Sequence, residues 1–267
     1  MTPASGGPGA VTSPFSPAPG AAPYLRQVRA QARMETRLML RNGEQLLVAL
    51  VIPILALVGG VVGAERGGIE LDGRAVDVLT PGVLALAVMS TAFTSLAIAT
   101  GFERRYGLIK RLGASPLPRS GLLLGKIGAV LTVQVVQAVV LVAVALALGW
   151  SPSGGWVALP LALLAAVLGT AAFASLGLLL AGTLRAEATL AIANLVYLLL
   201  LVGGAVLLPR SSYGGVGELL AVLPSAALGD AFRAALVDGS LAAGPLLVLV
   251  VWALLGATAA TRLFRWE

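Results

Sequence analysis

The sequence from Phe102 to Lys126 reads FERRYGLIKRLGASPLPRSGLLLGK. It carries six basic residues and one acid, Glu103, and it lies between two long apolar runs, Pro81–Gly101 and Leu122–Gly149. Charged side chains at this density are not expected in hydrocarbon, because each costs about 3 kcal/mol at the centre of a membrane. The segment is therefore predicted to lie on one face of a membrane, between two spans. Its excess of Lys and Arg indicates the cytoplasmic face.

The composition agrees with a membrane protein. Of the 267 residues, 58% are hydrophobic and 11% are charged, whereas a soluble domain averages about 25% charged residues. A crossing helix needs about 20 apolar residues. Six blocks satisfy this, so we predict an all-α polytopic membrane protein with six transmembrane helices. The blocks are Leu46–Ala64, Thr80–Gly101, Leu122–Gly149, Val157–Gly182, Ala188–Leu208 and Leu241–Thr261.

Cysteine and histidine are both absent from the sequence. This excludes disulfides and the common zinc and haem ligand sets, so no metal site is expected. It also removes the usual general base near neutral pH. No Asp or Glu lies deep in any block. This removes the obvious candidates for an intramembrane enzyme, and it counts against an ion-coupled carrier, which usually needs such a carboxylate.

The first 44 residues divide into two predicted segments. Residues 1–23 are rich in Pro, Gly and Ala without any charge, and we predict a disordered cytoplasmic tail. Residues 24–44 are predicted to form an amphipathic interfacial helix, because five arginines recur every three or four residues. Glu35 falls on its apolar face, which predicts either a nearby arginine partner or a less regular helix. Residues 45–267 form the predicted six-span domain.

Charge sets the predicted topology. Six spans place both termini on one side, and 14 of the 18 Lys and Arg residues fall on that side, whereas seven of the twelve acids fall on the other. The positive-inside rule then makes both termini cytoplasmic. The net charge of +6 follows the cytoplasmic face, so it indicates contact with lipid headgroups and not with nucleic acid.

The connection between spans five and six has helical periodicity over Val216–Val237, interrupted by Pro224. Each arm is too short to cross, so we predict an outer-face helical hairpin. Asp230 and Arg233 are one helical turn apart and are expected to pair. The hairpin is predicted either to form a lid over the exit of a transport path or only to cap the bundle.

These features together resemble the type-2 ABC exporter permease family, and the resemblance extends over most of the chain from Tyr24 onward. The family pattern is an acid at the end of span two, basic residues, a Gly, a basic turn, a Pro and a Lys that begins span three. This sequence departs from it at Leu108 and Ile109, where many members have a second acid. The matching residues are Glu103, Arg104, Arg105, Gly107, Lys110, Arg111, Leu112, Pro116, Arg119 and Lys126. Drug-resistance-type members are the most similar.

The resemblance implies a function and a set of partners. It implies a permease subunit in the cell inner membrane that exports a lipophilic drug, lipid or glycolipid-like substrate. Two copies of a separate ABC ATPase would bind ATP and magnesium, and this chain would hold no cofactor. It would work as a homodimer or with a related permease. The residues implied to couple to the ATPase are Glu103, Arg104, Arg105, Gly107, Lys110, Arg111 and Leu112.

Polar residues inside the spans have two interpretations. They could line a translocation path between spans two and five of two subunits, or they could only hydrogen-bond between helices at about 1 kcal/mol each. The candidates for the path are Thr91, Ser95, Gln134, Asn194 and Tyr197. Gly59 and Gly63 in the first block similarly indicate either close packing within the chain or a dimer seam.

Two functions from other classes remain open at this stage. The chain could be a non-transporting membrane scaffold or sensor held by its amphipathic helix, or it could be a secondary carrier. A neighbouring gene for an ATPase would favour the exporter, and transport that survives depletion of ATP would favour the carrier.

Overall fold

A computed structural model describes residues 22–41, 43–68, 71, 73–113 and 117–263. Within these ranges the chain is helical and has no strand. The predicted tail falls almost wholly outside the described residues, as does Pro116. Six helical stretches are long and apolar enough to cross a membrane. They are Ala49–Gly67, Ala75–Arg105, Ser120–Ala147, Gly155–Thr183, Ala186–Gly203 and Ala243–Leu263.

The helices that form or flank these spans are numbered in chain order. The first helix precedes the first span, and the second helix contains it. The second span is divided in two by the π-helical turn Ser90–Ser95. The short helix α5 separates spans two and three. The bounds are α1 Tyr24–Arg41, α2 Gly43–Gly67, α3 Ala75–Met89, α4 Leu96–Arg105, α5 Leu108–Gly113, α6 Arg119–Ala147, α7 Ala158–Thr183, α8 Ala186–Gly203, α9 Gly217–Leu220, α10 Pro224–Arg233 and α11 Ala243–Leu263.

The predicted all-α, six-span architecture is confirmed, although the span ends shift by up to five residues. The second span begins at Ala75 and not at Thr80, and Pro81 lies inside α3. Proline is tolerated in membrane helices where neighbouring groups satisfy the freed carbonyl. The fifth span ends at Gly203 and not at Leu208.

The chain after Gly203 is irregular and buried. Irregular backbone at membrane depth is tolerated only where protein satisfies its polar groups. Here the hydroxyl of Ser225 donates to the carbonyl of Gly204 at 2.8 Å, and Arg233 Nη2 donates to the carbonyl of Val206 at 2.8 Å. Gly82 of α3 allows this close approach, since a Cβ there would lie 2.3 Å from the carbonyl oxygen of Leu207.

The second span is the central helix of the bundle and the most buried of the six. Its π-helical turn faces α7, where Gly177 accommodates the backbone of Phe93. The helix α10 is also buried, from Pro224 to Phe232 apart from Asp230, and it packs against α3, α7 and α11. The segment around Pro224 therefore enters the bundle instead of lying flat on it.

Candidate functional site

The candidate site is the membrane face that carries α5. After α4 ends at Arg105, the chain reverses at Gly107, whose φ of +69° is a left-handed conformation that glycine adopts without strain. Ile109 is buried, whereas Tyr106 is 70% exposed and Lys110 and Arg111 are exposed. The short helix is thus anchored by one apolar side chain and presents a basic surface with an aromatic residue at its edge.

Arg104 and Arg105 connect the end of α4 to the turn between α7 and α8. The guanidinium of Arg104 donates to the carbonyls of Gly182 and Leu184. Arg105 forms an ion pair with Glu187 at the first turn of α8, and both of these side chains are more than half exposed. A displacement of α5 would therefore reach spans four and five through α4.

Glu103 belongs to a buried ionic cluster. The ammonium of Lys126 lies 2.5 Å from a carboxylate oxygen of Glu103 and 3.1 Å from one of Glu35. The amide of Gln31 also donates to Glu35 at 2.8 Å. The partner of Glu35 is thus Lys126 of α6, and not an arginine of its own helix. The cluster joins α1, α4 and α6 at one point.

The helix α1 rests on α6 instead of meeting only lipid. Its buried residues are polar, Gln31 and Glu35. Gly125 of α6 permits the contact, because a Cβ there would lie 2.5 Å from the side chain of Gln31. Leu25 and Leu38, which fall away from the arginine stripe, are exposed at 66% and 57%. The helix itself was predicted correctly, but the periodicity did not indicate that polar residues would form its contact with α6.

A shallow basic groove lies beside α5. It has a volume of about 480 Å³, and its lining combines α4, α5 and the α7–α8 turn. Four basic residues and one acid surround it, and the acid is Glu187, already paired with Arg105. The groove is lined by Gly101, Arg104, Arg105, Gly107, Lys110, Arg185, Ala186 and Glu187. Of the predicted coupling residues, only Leu112 has a side chain outside the described set.

The predicted path residues separate into two groups. Thr91 and Gln134 are buried and occupied by hydrogen bonds: Thr91 Oγ1 donates to Gln137 at 2.7 Å, and Gln134 accepts from Thr170 at 2.7 Å. The amide of Gln134 also donates to the carbonyl of Val88 at 3.3 Å, just before the π-helical turn. Such a turn disturbs the regular backbone bonds of a helix. These residues form an interhelical network.

The remaining path candidates lie elsewhere. Asn194 is exposed on α8, while Ser95 is half-buried at the end of the π-helical turn. Tyr197 is buried on the face of α8 that meets this turn, near Ser90. Beyond its first turn, the exposed face of α8 therefore carries Asn194 among large apolar side chains. A Cβ added at Gly59 or Gly63 would meet no atom within 4 Å in the described chain, whereas one at Gly60 would lie 3.0 Å from Leu79.

On the opposite membrane face, Asp230 is paired with two arginines. It accepts from Arg233 at 3.2 Å and from Arg210 at 2.5 Å. Burial lowers the pKa of Arg233, and the adjacent carboxylate of Asp230 opposes that shift. The predicted Asp230–Arg233 contact is present. Sequence spacing could not reveal Arg210, because it lies outside the helical period that indicated the pair.

The six apolar spans and the irregular, buried chain between the last two define a polytopic membrane protein. The sequence profile of the ABC-2 type transporter family matches residues 26–237. The chain belongs to this family, as a permease subunit of an ABC transporter. No protein with a curated description matches it in sequence.

Proposed function

We propose that this chain is the membrane subunit of an ATP-driven exporter, located in the cell inner membrane with both termini in the cytoplasm. It exports a lipophilic drug, lipid or glycolipid-like substrate from the cytoplasm or the inner leaflet. A separate ABC ATPase in two copies supplies the energy and holds ATP and magnesium. The chain itself catalyses no reaction and pairs with a second copy or a related permease.

One observation carries this proposal. The exposed helix α5 is joined to α4 without a flexible linker, and α4 is tied to three other elements through Glu103, Arg104 and Arg105. A rigid joint of this kind would convert a push on α5 into movement of the central span. The basic groove beside α5 favours an acidic surface on the ATPase, because complementary charge speeds and orients association.

The transport path is assigned to the surface between the second span and α8 of two subunits. Asn194 on the exposed face of α8 supports this, because a polar side chain exposed on a membrane helix favours contact with protein or water over lipid. Ser95 and Tyr197 lie where α8 meets the π-helical turn, whereas Thr91 and Gln134 are bonded to Gln137 of α6 and Thr170 of α7. The half-buried pair of Asp230 with Arg233, and Pro224 at the start of α10, support a role as an outer lid, since α10 touches the central span.

The test is co-expression with ABC ATPase subunits from the same genome, followed by co-purification and a substrate-stimulated ATPase assay. Lys110→Glu with Arg111→Glu should abolish co-purification and stimulation, because both side chains are exposed on α5. Arg29→Glu with Arg33→Glu is the matched control, since it reverses two exposed charges on α1. If the α5 variant binds the ATPase and transports normally, the coupling assignment is wrong.

A further inference from the structure

A lateral groove opens between α6 and α7, away from the basic groove and from α8. Its volume is about 340 Å³, with α3 as the floor and Phe232 and Leu236 closing one end. A cavity of about 150 Å³ already holds a benzene molecule. The groove is therefore large enough for a ligand of drug or lipid-chain size.

The lining disfavours a polar ligand. The polar side chains among the lining residues are Gln134 and Gln137. Gln134 is bonded to Thr170 and to the carbonyl of Val88. Gln137 accepts from Thr91 and donates to the carbonyl of Ala49. Because the oxygen and one N–H of each amide are already engaged, the lining offers an occupant mainly apolar contact area, which favours an apolar ligand.

The depth of the groove matches one leaflet. Its wall on α7 runs from Leu159 to Val167, which spans roughly 12 Å at the rise of an α-helix. One leaflet of the hydrocarbon core is about 15 Å thick. Trp156, which is 89% exposed, lies just before this wall, at the depth where aromatic residues meet the headgroups.

The mouth of the groove faces the bilayer. Four of its apolar lining residues remain substantially exposed: Val135, Leu159, Leu163 and Val167. The groove lies between helices that are long and apolar enough to cross a membrane, so its exposed side chains are accessible from the hydrocarbon. The hydrocarbon chain of a lipid is narrow, apolar and present at this depth.

We propose that this groove binds an acyl chain of a membrane lipid from the leaflet on the side of α10. The headgroup would lie near Trp156 and the chain would run inward between α6 and α7. The acyl chain would contact Phe232 and Leu236, so the bound lipid would support α10 and a second π-helical turn, Ala234–Asp238, that follows it. The site is separate from the transport path assigned to α8.

The experiment uses the full-length protein in lipid nanodiscs that contain a small fraction of phosphatidylcholine with a diazirine in its acyl chain. After irradiation, crosslinked peptides are mapped by mass spectrometry. We expect crosslinks to concentrate in residues 131–142 and 159–167. Ala162→Phe, which fills the groove, should reduce them several-fold. Ala257→Phe on α11 is the matched control, because that position is exposed and distant in sequence from the groove.

Several outcomes would overturn the proposal. Crosslinks spread over all lipid-facing helices, or unchanged by Ala162→Phe, would show general solvation by the bilayer. A disulfide between Leu163→Cys residues of two chains would make the groove a subunit interface. Displacement of the probe by an exported compound but not by unlabelled phospholipid would make it a substrate site. If Ala162→Phe does not fold, Ala138→Leu adds less volume to the same groove and gives the same readout.

Discussion

The ammonium of Lys126 lies 2.5 Å from a carboxylate of Glu103, and this contact joins the start of α6 to the end of α4. The side chain of Lys126 is only 3% exposed, and Glu35 shares it from α1. Two carboxylates thus depend on one buried cation. Breaking a buried ion pair by removing one partner leaves an uncompensated charge, which costs more than the pair contributes.

The first prediction is that Lys126→Met destabilises the protein by about 3–5 kcal/mol, because both carboxylates then lose their cation in a buried site. The free energy of unfolding can be measured by denaturant titration in mixed micelles. Lys110→Met removes the same charge from an exposed position and should have little effect.

The carboxylates provide a rescue test of the same prediction. Glu35→Gln alone should be tolerated, because Glu103 and Lys126 remain as a one-to-one pair. Combined with Lys126→Met, the changes Glu35→Gln and Glu103→Gln should recover most of the lost stability, since no charge is left buried. Failure of this rescue would mean that Lys126 acts through its packing and not through its charge.

The long apolar blocks made the spans predictable, because their length and composition alone satisfy the requirement of a bilayer. The end of the fifth span was not predictable in this way. The residues from Gly204 to Leu208 are as apolar as a span, yet their backbone is satisfied by Ser225 and Arg233 from a later segment. The helix ends at Gly203 and Gly204, and these tertiary contacts stabilise the irregular chain that follows.

The candidate site was predictable in its residues but not in their partners. The basic run after Phe102 identified the segment, whereas the pairing of Glu35 with Lys126 spans 91 positions of sequence. Periodicity along one helix carries no information about a contact of that kind. The same reason applies to Gln137 and Thr170, which complete the network around Thr91 and Gln134.

The second prediction distinguishes two adjacent arginines. Arg104→Met should destabilise the α7–α8 turn, because two backbone carbonyls lose a charged donor, a loss of about 1.5–3 kcal/mol for each such bond. Arg105→Met should change stability little, because exposed ion pairs contribute about 0–1 kcal/mol. Thermal unfolding of the two purified variants gives the comparison. Equal losses would contradict the different roles of the two side chains.

The third prediction concerns topology. Fourteen of the 18 basic residues lie on the side of the termini, so a reporter that is active only outside the cytoplasm should be silent when fused after Glu267. The same reporter inserted within residues 65–77 should be active. A cytoplasmic reporter at each position serves as the control. The reverse pattern would overturn the topology and the coupling role of α5 with it.

The fourth prediction concerns the segment between the last two spans, in this Cys-free chain. Leu219 and Val222 are 73% and 65% exposed, whereas Ser225 is fully buried and Gly229 lies against the carbonyl of Val206. Single cysteines at Leu219 and Val222 should therefore react from outside with a membrane-impermeant thiol reagent. A cysteine at Ser225 or Gly229 should react only after denaturation. Ala234→Cys, half-buried in the second π-helical turn Ala234–Asp238, should react slowly. This order follows from α10 entering the bundle, because a helix that only capped the bundle would expose one side of Ser225 or Gly229.

Two results would contradict this prediction. Fast labelling of all five positions would contradict the buried placement of α10. Labelling of Leu219 and Val222 only from the cytoplasmic side would place the whole segment on the cytoplasmic face and exclude the lid.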